Sequence, residues 1–202
     1  MVMEDARARE ERGTPARAKR LERPVLRIES YDLALDLDFQ NLKFAGKVII
    51  TLESEQDVIL NCSDLKIARI TAGNMSVGFT RKGEDLIVQT GPFSGDLEVD
   101  YAGSIQDTLV GIYRAPYDDT YLVTTQFEPA HARRMLPCVD NPEYKAEFKL
   151  SLRIDKDLDA ISNMPIESVT VDGGKKTVRF QKTPRMSTYL LYVGVGHFEE
   201  IR

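Results

Sequence analysis

The stretch Tyr31-Asp32-Leu33-Ala34-Leu35-Asp36-Leu37-Asp38 decides the fold. Tyr31, Leu33, Leu35 and Leu37 occupy alternate positions, with Asp32, Ala34, Asp36 and Asp38 between them. Successive side chains of an extended chain point to opposite faces, so this period of two builds one apolar face and one mainly acidic face. A helical period would scatter the four apolar residues around the axis. Val48, Ile50 and Leu52 repeat the alternation after Gly46. Further β-rich segments are Val58–Leu60, Lys66–Thr71, Ser76–Thr80, Leu86–Gln89, Leu97–Tyr101 and Tyr121–Thr125. Turn residues separate them, among them Gly73-Asn74, Lys82-Gly83 and Gly91-Pro92. Ser168–Val171 and Thr177–Phe180 flank Asp172-Gly173-Gly174, a hairpin signal. Short strands at close spacing predict an all-β fold, an antiparallel β-sandwich with one short helical loop.

The chain has 202 residues, 42% of them hydrophobic, enough to bury one core. A net charge of −5 gives no electrostatic support for nucleic-acid binding. Two cysteines, Cys62 and Cys138, are too few for a disulfide framework or a cysteine-only zinc site, and read as reduced, packed thiols. The longest apolar runs, such as Leu190-Leu191-Tyr192-Val193, fall far short of a membrane span, and the first residues lack the apolar core of a signal peptide. The expectation is a soluble cytoplasmic protein with no nucleic-acid or membrane partner. Residues 1–24 carry mixed charge and few apolar groups, so they read as a flexible extension preceding a domain over 25–202.

One irregular stretch carries the chemistry: Thr124-Thr125-Gln126-Phe127-Glu128-Pro129-Ala130-His131-Ala132-Arg133-Arg134-Met135-Leu136-Pro137-Cys138-Val139-Asp140-Asn141-Pro142. Pro129 lacks an N–H and drives Glu128 to extended backbone, which ends the preceding strand near that point. Ala130 to Met135 allows one helical turn, and Pro137 and Pro142 prevent a longer helix. Taken alone, Glu128 is most simply a solvated carboxylate or a partner of Arg133 or Arg134. Gln126 is then a polar strand end, Arg133 and Asp140 a loop-holding ion pair, and His131 a surface histidine.

The run Gln126-Phe127-Glu128, Ala132-Arg133, Pro137-Cys138, Asp140 and Pro142 resembles the signature in the N-terminal domain of aminopeptidase N-type zinc peptidases. Tyr31-Asp32-Leu33, Gly111-Ile112-Tyr113, Ala160-Ile161-Ser162-Asn163-Met164-Pro165 and Pro184-Arg185-Met186-Ser187-Thr188-Tyr189-Leu190 extend the likeness from Tyr31 to Phe198. It is especially similar to the archaeal tricorn-interacting aminopeptidases. The resemblance implies a saddle-like β domain in which Glu128 binds the free α-amino group of a peptide. It makes Gln126 a lining residue of the pocket for the first side chain, with Arg133 and Asp140 supporting the loop. A glutamate at position 128 matches aminopeptidases rather than the related epoxide hydrolases, which tend to carry Gln there. Asn141 departs from the pattern, since many relatives have Glu after the aspartate.

The family's zinc chemistry needs a His-Glu-x-x-His helix, with two histidines one turn apart and a general-base glutamate. This chain has only His131 and His197, far apart and neither in that pattern, and it lacks the family's Gly-Ala-Met-Glu-Asn element. No cofactor is therefore expected in this chain, the zinc belonging to the family's catalytic domain, and the chain alone is expected to be inactive. The expected partners are peptide N-termini and a zinc domain in cis or in trans. The sequence ends about where the family's zinc domain begins, which suits an excised domain, a split gene product or a free-standing descendant. The alternative function is a stand-alone, non-catalytic β-sandwich module that binds a peptide or protein partner.

Overall fold

In the computed structural model, residues 25–117 and 119–199 are described. The extension assigned to residues 1–24 lies outside them. β1 (Leu26–Asp38) and β2 (Lys43–Ser54) form a long hairpin. Short strands follow: β3 (Val58–Asn61), β4 (Lys66–Ala72), β5 (Met75–Ser76), β6 (Phe79–Lys82) and β7 (Asp85–Val88). β8 (Phe93–Ser104) is long, and β9 (Gly111–Tyr117) and β10 (Thr120–Gln126) make a second hairpin. A 3-10 turn at Ala132–Arg134 leads to β11 (Glu147–Asp155), β12 (Asp159–Ser162), β13 (Ile166–Asp172) and β14 (Lys175–Phe180). A second such turn, Thr188–Leu190, precedes β15 (Val193–Gly196).

The strands form three sheets. The largest has the order β13-β14-β11-β1-β2-β8-β4-β5, the second β12-β15-β10-β9 and the third β3-β7-β6. One buried cluster joins the inward side chains of all three, among them Leu33 and Leu35 of β1, Val58 of β3, Val88 of β7, Val123 of β10 and Val195 of β15. The fold is thus the all-β, sandwich-like domain that the alternation predicts, with the two small sheets closing one face of the large one. Burial of that apolar surface is the main driving force for joining them.

The acidic face of β1 is turned away from the core, where oppositely charged neighbours meet it. Arg153 of β11 lies 2.8 Å from Asp36. Along the same face Lys47 pairs with Glu98 and Asp100, and Arg69 with Asp100 at 2.9 Å. Being solvent-exposed, such pairs shape the surface more than they stabilise the fold.

Two features differ from the sequence expectation. β1 pairs with β11 in parallel, so the large sheet is mixed; Tyr31 stands opposite Phe148, with ring centroids 4.9 Å apart. The strand expected over Ser76–Thr80 is split at Val77 and Gly78. β5 stays with β4 in the large sheet, while β6 crosses to β7 in the small one. Glycine suits that crossing, because a Cβ on Gly78 would lie 2.5 Å from the Gln89 side-chain oxygen.

Candidate functional site

β10 delivers the site. Val123, Thr125 and Phe127 are buried, whereas Leu122, Thr124 and Gln126 alternate with them on the opposite side. Thr125 anchors the strand, its Oγ1 accepting the Val193 N–H at 3.0 Å. β10 ends at Gln126, and the Glu128–Pro129 peptide bond is cis. Phe127, only 1% exposed, pins the exit from the strand, with Gln126 and Glu128 exposed on either side of it. The His131 N–H donates to the Phe127 carbonyl at 2.7 Å, folding the chain into the 3-10 turn.

The loop that follows is held by a buried carboxylate. Asp140, with its side chain 1% exposed, accepts from Arg133 Nε at 2.9 Å on Oδ2. Its Oδ1 accepts the Thr188 hydroxyl at 2.8 Å. Its backbone N–H donates to Asn61 Oδ1 at 2.9 Å, tying the loop to β3. Arg133 also reaches Glu84 at 2.8 Å. Burial works against the Arg133 charge, but the bonds to Asp140 and Glu84 outweigh it and raise its pKa. The Arg133 hydrogen bond in turn holds the Glu84 carboxyl below the ordinary glutamate value.

Backbone pairing completes the lock. Asn61 and Cys138 exchange N–H···O bonds of 2.6 and 3.1 Å, Ser63 N–H donates to the Arg133 carbonyl, and Val139 N–H donates to the Tyr31 hydroxyl. Gly111, opposite Gln126 in the β9–β10 register, has φ +78°. A Cβ there would lie 2.8 Å from Arg134 Cβ, so both the backbone angle and the close approach require glycine.

The structure therefore gathers Gln126, Glu128, Arg133 and Asp140 in one segment and separates their circumstances. Arg133 and Asp140 form the expected ion pair. Arg134 lies 3.6 Å from Asp64, so both arginines of the turn have partners other than Glu128. His131 is half-buried rather than a surface residue. Three supporting residues escape a sequence reading: Asn61, Glu84 and Thr188. Their signal is only that of ordinary polar residues, since their contacts to the loop span 48 to 79 positions.

Among the described residues no group of three or more His, Cys, Asp or Glu is placed to hold a metal. Cys62 and Cys138 are free and buried. Burial pushes both thiols above the usual cysteine value, Cys62 despite the Arg81 guanidinium 2.8 Å from its sulfur. No helix among the described residues is long and apolar enough to cross a membrane.

The domain is all-β and carries exposed polar side chains on a locked loop, and comparison with known proteins shows its family. The description of the peptidase M1 N-terminal domain matches residues 28–190, and the chain belongs to that family. It is 50% identical over 179 residues to a probable aminopeptidase 2 of Sulfurisphaera tokodaii, covering 88% of this chain and 23% of that protein. A leucyl aminopeptidase of Saccharolobus solfataricus is 43% identical over 180 residues, with 88% and 23% covered. The tricorn protease-interacting factor F2 of Thermoplasma acidophilum is 38% identical over 175 residues, with 85% and 22% covered. The chain thus spans under a quarter of the length of these relatives. In this family the zinc belongs to the catalytic domain.

Proposed function

We propose that this chain is the substrate-anchoring N-terminal domain of a zinc aminopeptidase. Residues 25–202 form the domain and residues 1–24 an extension. Glu128 receives the α-ammonium of a peptide and Gln126 lines the pocket for its first side chain. A zinc domain, in cis or in trans, cleaves the bond. The observation that carries this reading is the state of Glu128: an exposed carboxylate immediately after a buried phenylalanine, on a loop braced by Asp140, with the nearby arginines paired elsewhere.

The chemistry follows from charge. A fixed anion gains about 1.5–3 kcal/mol from each charge-assisted hydrogen bond to an ammonium. An internal peptide nitrogen offers no such charge, so the anchor measures distance from the chain's first residue. Bracing matters because a loop backbone already held in place loses little freedom on binding. The names of the relatives, aminopeptidases and a tricorn protease-interacting factor, support a peptide substrate.

The test is an NMR titration of the isotope-labelled chain with Leu-Gly-Gly and with its N-acetylated form. Amide shifts at residues 126–131 that appear only with the free amine, and vanish in Glu128→Gln, are expected. Equal responses to both peptides overturn the anchor.

A further inference from the structure

Each sheet ends in two strands with an unpaired flank, and such a flank invites another strand. These end strands are β13 and β5 of the large sheet, β12 and β9 of the second, and β3 and β6 of the third. All but one are blunted. β5 has two residues, and β12, β3 and β6 have four each, with Arg81 and Lys82 on β6. β9 carries Pro116 and is covered by Gln106, whose N–H donates to the Ile112 carbonyl and whose carbonyl accepts the Arg114 N–H. β13 is the exception. Its seven residues, Ile166-Glu167-Ser168-Val169-Thr170-Val171-Asp172, include no lysine, arginine or proline. Among the described residues nothing pairs with its outer flank.

Its side chains divide between two sides. Val169 stands opposite the buried Val178 and Ile166 opposite the buried Phe180, so these two and Val171 lie on the core side of the sheet. They nevertheless project past the core, Ile166 being 49%, Val169 48% and Val171 66% exposed. Ser168, Thr170 and Asp172 occupy the opposite, polar side. A register shift between Ile166 and Ser168 leaves residues 168–172 as the regular part of the strand.

The turn sets the phase of the backbone. Asp172 and Lys175 pair across Gly173-Gly174, and in a two-residue hairpin the closing pair exchanges both N–H···O bonds. Hydrogen-bonded pairs alternate along an antiparallel ladder, so Ser168 and Thr170 also bond β14. The N–H and C=O groups of Val169 and Val171 therefore face the open flank.

That flank is its own complement. With a second copy placed antiparallel about a two-fold axis through Thr170, Val169 meets the partner's Val171 and Val171 meets the partner's Val169. The backbone groups of both valines already face outward, so each such pair exchanges two N–H···O bonds. An axis normal to the sheet keeps valine beside valine on one side. On the other side Ser168 meets the partner's Asp172, a donor against an acceptor. No like charges stand directly opposite each other, the arrangement that would disfavour pairing.

We propose that β13 is a self-association edge, through which two copies of this chain join by residues 168–172 into one continuous sheet. This is independent of the role given to Glu128. So short a pairing falls well below the roughly 1,600 Å² of a standard interface, so the dimer is a weak one, with a dissociation constant of about 100 μM.

The test is sedimentation equilibrium of the chain from about 10 μM to about 1 mM. The mass is expected to rise from that of one chain toward that of two; the mass of one chain throughout overturns the proposal. Val171→Lys places a charge in the apolar row at a residue already largely exposed, and is expected to weaken association about tenfold or more. Association as strong as in the wild type overturns the proposal, since the dimer then uses another face. A second measurement does not depend on that variant. Thr170→Cys places two thiols on the axis, with Cα atoms about 4.5 Å apart in a non-hydrogen-bonded pair, a spacing that a disulfide spans. On mild oxidation it is expected to form linked dimers about tenfold faster than Thr80→Cys on β6, the control edge. Equal rates overturn the proposal.

Discussion

Replacing Asp140 with alanine removes the carboxylate that braces the loop. Its side chain is 1% exposed, and Arg133 beside it is 18% exposed. The substitution leaves three donors behind, the buried Thr188 hydroxyl, Arg133 Nε and the Arg133 backbone N–H. Breaking a buried pair by removing one partner costs about 3–5 kcal/mol, and stranding a buried neutral donor about 1–3 kcal/mol. Arg133 keeps Glu84 and some solvent, which places the total near the low end, at about 3 kcal/mol. With a urea m value of about 2 kcal/mol/M, the unfolding midpoint falls by about 1.5 M at unchanged m. The measurement is equilibrium urea unfolding followed by far-ultraviolet circular dichroism. Adding Arg133→Met to Asp140→Ala is expected to cost less than the sum of the two single changes, because the pair is lost only once. A loss below about 1 kcal/mol for Asp140→Ala, or strict additivity in the double variant, would falsify the hub.

The pairing of Glu84 with Arg133 adds a dependence on pH. Because the folded carboxyl titrates below its ordinary value of 4.5, its stabilisation is complete above that value and disappears as pH falls through the lowered one. The midpoint between pH 6 and pH 3 is therefore expected to fall more steeply in the wild type than in Glu84→Gln at low salt; parallel curves contradict this. The exposure of Glu84 keeps the effect small. Cys62 and Cys138 are expected to resist a thiol reagent in the native protein at pH 8 and to react, both of them, once guanidinium unfolds it. Native reaction at the rate of a free thiol counts against their burial.

Local physics made part of the molecule legible. Alternation at Tyr31–Leu37 places those side chains in the core, and Asp172-Gly173-Gly174 marks the turn between β13 and β14. Alternation tells which face is buried but not which strand lies alongside. The parallel neighbour of β1 comes from residues more than a hundred positions later, and nothing in Tyr31–Asp38 specifies it. β11 itself has the same signal, Phe148, Leu150, Leu152 and Ile154 alternating with polar residues, although it was not among the expected strands. β15 was hidden for a different reason, since Val193-Gly194-Val195-Gly196 is buried throughout and shows no period. At the site, the Arg133–Asp140 pair was readable because seven positions and one turn separate its members. Asn61, Glu84 and Thr188 reach it only through the folded sheets.

The place of β1 bears on how the domain is made. A strand synthesised early keeps one whole flank of N–H and C=O groups unpaired until β11 emerges from the ribosome. In that interval Asp32, Asp36 and Asp38 supply repulsion between nascent chains. The carboxylates that later dress a finished surface first act as guards against pairing with the wrong neighbour.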